Sequence, residues 1–173
     1  MTEIVHVVVM GVAGSGKTTT ARILAERLGL PYAEADEFHP PENIAKMSAG
    51  HPLTDEDRWP WLRAIRDWLT ARTHAGESAV VTCSALKVAY RDLLREAEGR
   101  VRFVHLVAAA PLLEDRMEHR AGHFMPPSLL ASQLDTLEPL TDAEDGVTVS
   151  VEASPDVVAD QAIAALHLTE ESR

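Results

Sequence analysis

The feature that most constrains this chain is an octapeptide near its start, Gly11-Val12-Ala13-Gly14-Ser15-Gly16-Lys17-Thr18. It fits the pattern G-x-x-x-x-G-K-[S/T], a loop whose backbone N–H groups surround a phosphate. Glycines permit backbone angles that a Cβ would forbid, so successive N–H groups can face one anion. A helix that follows the loop would add its positive N-terminal end. In this pattern Lys17 supplies charge to the outer phosphates and Thr18 offers a hydroxyl to Mg²⁺.

The residues on both sides of the loop predict strand, loop and helix in the required order. Residues 4–10 are a nearly unbroken apolar run, which is typical of a strand buried on both faces. After the loop, Ala21, Leu24 and Leu28 recur at helical spacing, and Gly29 stands where a helix would end. A glycine-rich turn that matched the pattern by chance would lack this context. We therefore interpret the octapeptide as a phosphate-binding loop.

Strand-like and helical patterns alternate along the rest of the chain. The predicted strands cover residues 4–10, 32–35, 79–83, 101–108 and 146–152. The predicted helices cover residues 17–29, 41–49, 55–73, 87–98, 111–121, 127–138 and 155–167. This alternation predicts one α/β domain over residues 1–173, with a parallel five-stranded sheet covered by helices on both faces. Ligands of such sheets lie beyond the carboxyl ends of the strands, so the loops that follow the strands should share one edge.

Composition and charge exclude several classes of protein. The formal net charge of −11 over 173 residues disfavours nucleic acid as a partner. No apolar stretch approaches the roughly 20 residues of a membrane span, so we expect no membrane association. The single cysteine, Cys83, rules out an internal disulfide and fits a reducing compartment, so we expect a cytoplasmic protein. In so acidic a chain, clustered Arg or Lys side chains point to an anionic ligand.

Acidic residues after the second predicted strand are candidates for the chemistry. By strand alternation Glu34 and Asp36 lie on one side, where Asp36 could accept the proton of a substrate hydroxyl. His39 follows in the same loop and could donate to a hydroxyl. Cys83-Ser84 occupies the strand end where many phosphate-loop enzymes carry a metal-binding Asp, so Mg²⁺ must rely on Thr18 and on Glu34 or Asp36. The plainer interpretation of these acids and of His39 is a solvated loop.

Basic residues in two later segments could face the same cleft. Arg58 stands among acids at the start of the helix predicted over 55–73, and it could either pair with them or fork onto a substrate carboxylate. Lys87 and Arg91 lie one helical turn apart after the third predicted strand. We expect both side chains in the cleft.

A candidate lid covers about residues 116–128. Arg116 and Arg120 are four residues apart, so they share one face of the predicted helix. The stretch 121–127, which contains Gly122, His123 and two prolines, then breaks the helix. Two arginines followed by such a segment suit a lid that closes over ATP and brings charge to the transferring phosphoryl group. The alternative is a solvated basic face.

These motifs together resemble the gluconokinase family of small carbohydrate kinases. The resembling stretches lie between residues 4 and about 140 and are 11–18, 36–40, 43–47, 50–62, 83–95 and 122–126, with Ser132-Gln133. The runs 51–62 and 83–87 are specific to the family, whereas the phosphate loop alone is not. The family pattern has Asp where this chain has Glu34.

The resemblance implies a nucleoside-monophosphate-kinase-like three-layer fold with a small lid. It implies transfer of the γ-phosphoryl group of ATP to the 6-hydroxyl of D-gluconate, with Mg²⁺, in an enzyme that is often a homodimer. We expect catalytic roles for Lys17, Asp36 and Arg120. The expected nucleotide contacts are Gly11, Val12, Ala13, Gly14, Ser15, Gly16, Lys17, Thr18, Thr19, Arg116 and Arg120. The expected substrate contacts are Asp36, His39, Arg58, Lys87, Arg91 and His123, and the expected metal ligands are Thr18 and Glu34.

Two other functions compete with this interpretation. The first is a kinase for another acceptor, such as shikimate, a different sugar acid or a nucleoside monophosphate, and composition does not separate these from gluconate. The second is a nucleotide-dependent switch without catalysis. A GTPase switch would need a guanine-reading N-K-x-D segment, and the sequence contains none. The long family-specific runs favour gluconate.

Overall fold

A parallel sheet of five strands forms the centre of the molecule, for which the computed structural model describes residues 3–12, 14–108 and 128–168. The strands are β1 (Val5–Met10), β2 (Tyr32–Glu34), β3 (Val80–Thr82), β4 (Arg100–Val107) and β5 (Gly146–Ser150). Their order across the sheet is β2-β3-β1-β4-β5, and every neighbouring pair is parallel. In the register, Val8 of β1 stands opposite Val81 of β3 and Phe103 of β4. The predicted parallel five-stranded sheet is confirmed.

Six helices of the described residues connect and cover the strands. They are α1 (Lys17–Leu28), α2 (Pro41–Ser48), α3 (Asp55–His74), α4 (Val88–Leu94), α5 (Ser128–Thr136) and α6 (Pro155–Leu166). The helix predicted over 87–98 is shorter than expected, and that predicted over 111–121 lies outside the described residues. A 3₁₀ turn at Ala35–Phe38, which the sequence patterns did not predict, follows β2 directly. In the part of the chain that the structure describes, no helix has both the length and the apolarity to span a bilayer.

Two apolar cores lie on opposite faces of the sheet because successive side chains of a strand point to opposite sides. Along β1, Val8 and Met10 belong to the core beneath α3, α4 and α5, whereas Val7 and Val9 belong to the core beneath α1 and α6. With both faces covered, the strand ends are left for ligands. The loops that follow β1, β2 and β3 meet at the carboxyl edge of the sheet.

The start of α3 is fixed by a capping box between Thr54 and Asp57. The Thr54 hydroxyl accepts a hydrogen bond from the Asp57 amide at 3.2 Å, and the Asp57 carboxylate accepts one from the Thr54 amide at 2.9 Å. This exchange satisfies two N–H groups that would otherwise lack a helical partner. Pro60 lies inside α3, which continues through it. The capping box therefore fixes the first turn of α3, which lies within the 50–62 run.

Candidate functional site

The loop between β1 and α1 has the shape that its glycines require. Gly14 and Gly16 have φ of +83° and +85°, in the left-handed region. A Cβ on Gly11 would lie 2.7 Å from Ser15 Oγ and 2.8 Å from the Leu106 carbonyl oxygen, which is closer than real Cβ contacts. The chain therefore packs tightly against itself at Gly11. This geometry turns the loop back onto the N-terminus of α1, as expected for a phosphate-binding loop.

Lys17 lies over this loop. Its ammonium donates hydrogen bonds to the carbonyl oxygens of Gly11 at 3.0 Å and Val12 at 3.1 Å. Thr18 is half-buried and Thr19 is exposed in the first turn of α1. The ammonium and the positive end of the helix therefore act on the same small volume, where an anion is favoured.

Burial dominates the environment of the Cys83 thiol, which follows the end of β3. Burial raises the pKa of this thiol to about 12, against the effects of an Ala85 backbone hydrogen bond and of the charges on Lys17 and Arg58. The charge on Asp36 raises it further. With its pKa raised by burial, Cys83 is a small buried residue and not a nucleophile.

The 3₁₀ turn presents Asp36 at this edge. The Ala35 amide donates to Thr82 Oγ1 at 3.2 Å, and the Trp61 indole N–H donates to the Ala35 carbonyl at 2.8 Å. The turn is thus fastened to both β3 and α3, with Asp36 exposed on it. Trp61 thus both fills the core and positions the turn through its N–H.

Glu34 is engaged differently from Asp36. The Tyr32 hydroxyl donates to Glu34 Oε1 at 2.7 Å, and the Glu34 amide donates to Glu37 Oε2 at 2.9 Å. Strand alternation ends at Glu34, where the 3₁₀ turn begins, so it does not relate Glu34 to Asp36. The prediction that strand alternation places these two acids on one side is therefore wrong, because Asp36 lies outside the strand.

His39 is held as a neutral hydrogen-bond donor. Its ring stacks on Trp61 with centroids 4.1 Å apart, and Asn43 Nδ2 lies 3.2 Å from His39 Nδ1. The same Nδ2 donates to the Asp57 carbonyl at 2.9 Å, which identifies it as the amide nitrogen because a carbonyl only accepts. His39 Nδ1 is therefore the acceptor, and the proton resides on Nε2. Burial and then the Arg58 charge lower the His39 pKa to about 4.

A polar cleft of about 230 Å³ opens between the start of α3, the start of α4 and one side of α5. Arg58 and Lys87, both predicted substrate contacts, are part of its wall. Hydroxyl, carboxylate and cationic groups dominate the wall, which suits a small hydrophilic ligand. The lining residues are Pro52, Leu53, Thr54, Asp55, Arg58, Lys87, Tyr90, Ser132 and Thr136.

Asp55 and Tyr90 pre-position the two cations of the cleft. The Tyr90 hydroxyl donates to Asp55 Oδ1 at 2.5 Å, and Lys87 Nζ donates to the same oxygen at 3.1 Å. These two hydrogen bonds lower the pKa of Asp55. Arg58 Nη1 donates to the Tyr90 hydroxyl at 3.2 Å, and its guanidinium carbon lies 5.2 Å from the Tyr90 ring centroid. Sequence analysis did not identify Tyr90, which is almost wholly buried, and its hydroxyl is the signal that could have found it.

Arg91 does not face the cleft, and that prediction is wrong. Its side chain is 0% exposed and forms a two-pronged ion pair with Glu144, with N–O distances of 2.6 and 2.9 Å. The prediction assumed that Lys87 and Arg91 share a helix face. Lys87 instead precedes α4 in extended backbone, with φ of −113° and ψ of 150°, so helical spacing does not relate the two side chains.

The remaining predicted site residues are Ala13, Arg116, Arg120 and His123. All four lie outside the described residues, as does most of the predicted lid. Their roles stay predictions.

Comparison with known proteins finds relatives over most of this chain. A family model described as an AAA domain matches residues 7–125. A gluconokinase of Gluconobacter oxydans is 53% identical over 156 residues, covering 90% of this chain and 88% of that protein. The thermoresistant gluconokinase of Escherichia coli is 40% identical, with 84% and 83% covered.

Solved structures are similar over nearly the whole chain. A gluconokinase from Sinorhizobium meliloti superposes with a TM-score of 0.84 at 49% identity, covering 94% of this chain and 91% of that one. A sugar kinase from a Janibacter species gives a TM-score of 0.90 at 53% identity, with 96% of each chain covered. With its phosphate loop and polar cleft at one sheet edge, and with relatives this similar along most of its length, the chain belongs to the gluconokinase family.

Proposed function

We propose that this protein transfers the γ-phosphoryl group of ATP to the 6-hydroxyl of D-gluconate. The observation that carries the proposal is the phosphate loop, with Lys17 over it, at the sheet edge that also has the turn bearing Asp36 and the polar cleft lined by Arg58 and Lys87. Family membership supports gluconate as the acceptor over shikimate or a nucleotide.

The phosphate loop would hold the β- and γ-phosphates. Its backbone N–H groups and the N-terminus of α1 favour the anion, and Lys17 would move from the loop carbonyls to the phosphate oxygens. Thr18, half-buried in the first turn of α1, has the hydroxyl that would hold Mg²⁺, with Asp36 or Glu34 as the acidic partner. Bound Mg²⁺ would neutralise charge on the phosphates.

The cleft would hold gluconate by its carboxylate and hydroxyls. Arg58 offers a planar pair of N–H donors that matches a carboxylate, and Lys87 adds a second positive charge. His39 would donate its Nε2 proton to a hydroxyl group. Asp36 would orient the 6-hydroxyl and accept its proton as the oxygen attacks the γ-phosphorus, with ADP leaving.

A panel of acceptors tests this proposal. ADP release is measured with D-gluconate, other sugar acids, shikimate and nucleoside monophosphates under the same conditions. We expect the highest kcat/KM with gluconate. A higher value with shikimate or with a nucleotide would overturn the assignment.

Lys17→Ala tests the role of the phosphate loop. Loss of its charge should lower kcat by about 100-fold or more, as expected for an electrostatic stabiliser of phosphoryl transfer. Arg27→Ala is the matched control, because it removes a positive charge from the last turn of the same helix, where Arg27 pairs with Asp156. Substantial turnover by Lys17→Ala would contradict the mechanism.

A cytoplasmic homodimer with a lid over about residues 116–128 is part of the same proposal, and the family resemblance supports it. Sedimentation velocity measures the assembly directly. We expect twice the chain mass, and a single-chain mass at micromolar concentration would contradict the dimer.

A further inference from the structure

We propose that Arg91 is a positioning residue that holds the Lys87 loop in the shape that binds the acceptor. The Lys87 loop is defined here as residues 83–88. The proposal rests on the proposed function, because it assigns Lys87 to the acceptor site. It gives a role to a buried arginine that has no access to the cleft.

The guanidinium of Arg91 joins three separate segments. Nε and Nη2 donate to Glu144 Oε2 and Oε1 at 2.6 and 2.9 Å. Nη1 donates to the Ala85 carbonyl at 2.8 Å, and Nη2 also lies 3.3 Å from the Pro139 carbonyl. Arg91 therefore ties the Lys87 loop to the segment between α5 and β5.

The residue that Arg91 holds is in a strained conformation. Ala85 has φ of +46°, in the left-handed region that L-residues with a Cβ rarely adopt. Such a conformation persists only where the surrounding structure enforces it. The hydrogen bond from Arg91 to the Ala85 carbonyl acts directly on this peptide. Because Ala85 lies two residues before Lys87, its backbone angles determine the position of the Lys87 backbone.

Glu138 fastens the other side of the same loop. Its amide donates to the Leu86 carbonyl at 2.6 Å, and its carboxylate accepts from the Val88 amide at 2.8 Å. Glu138 follows α5, whose Ser132 and Thr136 line the cleft. Two walls of the cleft, the Lys87 loop and α5, are thus joined through residues 138–144.

Stability alone does not account for the buried ion pair. Glu144 is 4% exposed at its side chain, and hydrogen bonds from Arg91 and Arg95 hold its carboxylate in the charged form. A buried ion pair can often be replaced by apolar side chains of similar volume without loss of stability. An apolar pair, however, has no N–H group to direct at the Ala85 carbonyl. The distinctive contribution of Arg91 is therefore the geometry of the loop.

The test removes both charges together, so that neither is left buried and unpaired. In Arg91→Met/Glu144→Leu we expect a folded protein by circular dichroism. Its KM for gluconate should rise by about tenfold, with the KM for ATP within about twofold of the parent, because misplacement of one binding group affects one substrate. Arg66→Met/Glu96→Leu, which removes an ion pair on the surface with an N–O distance of 3.0 Å, should change neither KM.

Two further variants keep the proposal falsifiable. Adding Ala85→Gly to the double variant should lower the gluconate KM again, because glycine adopts a positive φ without strain. If the double variant does not fold, Arg91→Lys retains the charge but not the fork to Ala85, and it should give the same separation of the two KM values. An unchanged gluconate KM in the folded variants, an equal rise in both KM values, or no rescue by glycine would overturn the proposal.

Failure of the proposed function would look different. In that case the parent protein itself would prefer another acceptor in the panel. The KM for that acceptor would then be measured in the same variants. A rise in the KM for that acceptor without a rise in the KM for ATP would support the positioning role of Arg91. An unchanged KM for that acceptor would contradict this role.

Discussion

At the scale of single residues, Arg58 makes the contacts that best explain how the cleft would recognise an acid. Its guanidinium lies against the Tyr90 ring and donates to the Tyr90 hydroxyl, while Asp55 accepts hydrogen bonds from Tyr90 and Lys87. A carboxylate that enters this array would meet two cations already in place. The cost of ordering the side chains is thereby reduced before the ligand arrives.

Arg58→Ala should raise the KM for gluconate by roughly tenfold or more, since a hydrogen bond to a charged group contributes about 1.5–3 kcal/mol. The KM for ATP should change little, because the phosphate loop remains intact. Arg58→Lys is the matched variant: it retains charge but loses the planar fork, so its KM should lie between those of the parent and Arg58→Ala. Steady-state kinetics with each substrate varied in turn measures both KM values in the parent and in the two variants. An unchanged gluconate KM in Arg58→Ala would assign the carboxylate to another residue.

Single residues also mark the limit of prediction from sequence. The phosphate-loop motif predicts Lys17, and the end of the second strand predicts Asp36. Arg58 is predicted because it is a cation among acids at the start of a helix. The pairing of Arg91 with Glu144 was not predictable, because it joins residues 53 positions apart through tertiary packing. The proton on His39 Nε2 likewise depends on Asn43 and on a carbonyl of α3, which no local pattern specifies.

At the scale of elements, the entry into α3 organises one side of the site. The capping box at Thr54 fixes the first turn, so Asp55 and Arg58 take defined places beside the cleft. The Asp57 carboxylate, which completes this capping box, also accepts a hydrogen bond from Lys46 of α2 at 2.5 Å. Hydrogen bonds from Lys46 and from Thr54 lower the pKa of Asp57 to about 2.

Thr54→Ala should reduce the free energy of unfolding by about 1 kcal/mol, because the Asp57 amide loses its hydrogen-bond acceptor. Thr54→Ser is the matched control, since serine provides the same hydroxyl and caps helices at least as well. Urea denaturation followed by circular dichroism measures both. Equal losses of stability in the two variants would show that the cap is not what stabilises this end of α3.

The elements that were predicted well are those with local signals. The β1–loop–α1 unit has an apolar run, a glycine pattern and a helix-ending Gly29, whose φ is +68°. The 3₁₀ turn after β2 escaped prediction because its fastening points, Thr82 and Trp61, are distant in sequence. The helix predicted over 87–98 ends at Leu94 in the structure, although Ala97 beyond it is still buried.

At the scale of the whole molecule, the sheet separates two cores and gathers the site at one edge. Histidines that are shielded from water make the stability of this arrangement depend on pH. The pKa of His105 in β4 is lowered to about 4 by burial and then by the Arg91 charge, and that of His39 is also lowered to about 4. Unfolding returns both groups to about 6.5, so the unfolded chain binds more protons between these values.

The free energy of unfolding should therefore fall as the pH is lowered from about 6.5 towards 4. The carboxylates with lowered pKa values, Asp57 and Glu144, add to this loss at still lower pH, below about 4.5. His105→Phe should make the free energy of unfolding less dependent on pH between 7 and 5. Urea denaturation at several pH values measures the slope, and an unchanged slope in this variant would show that His105 does not contribute.

Recognition of the acceptor is the central claim about the molecule, and one measurement tests it most directly. The protein is given ATP and equal concentrations of D-gluconate, shikimate and AMP, and the products are identified by proton–phosphorus correlation NMR. Besides ADP, we predict one main phosphorylated acceptor, whose phosphorus couples to the C6 methylene protons of gluconate. A phosphorus on another gluconate carbon, on shikimate or on AMP as the main product would contradict the account.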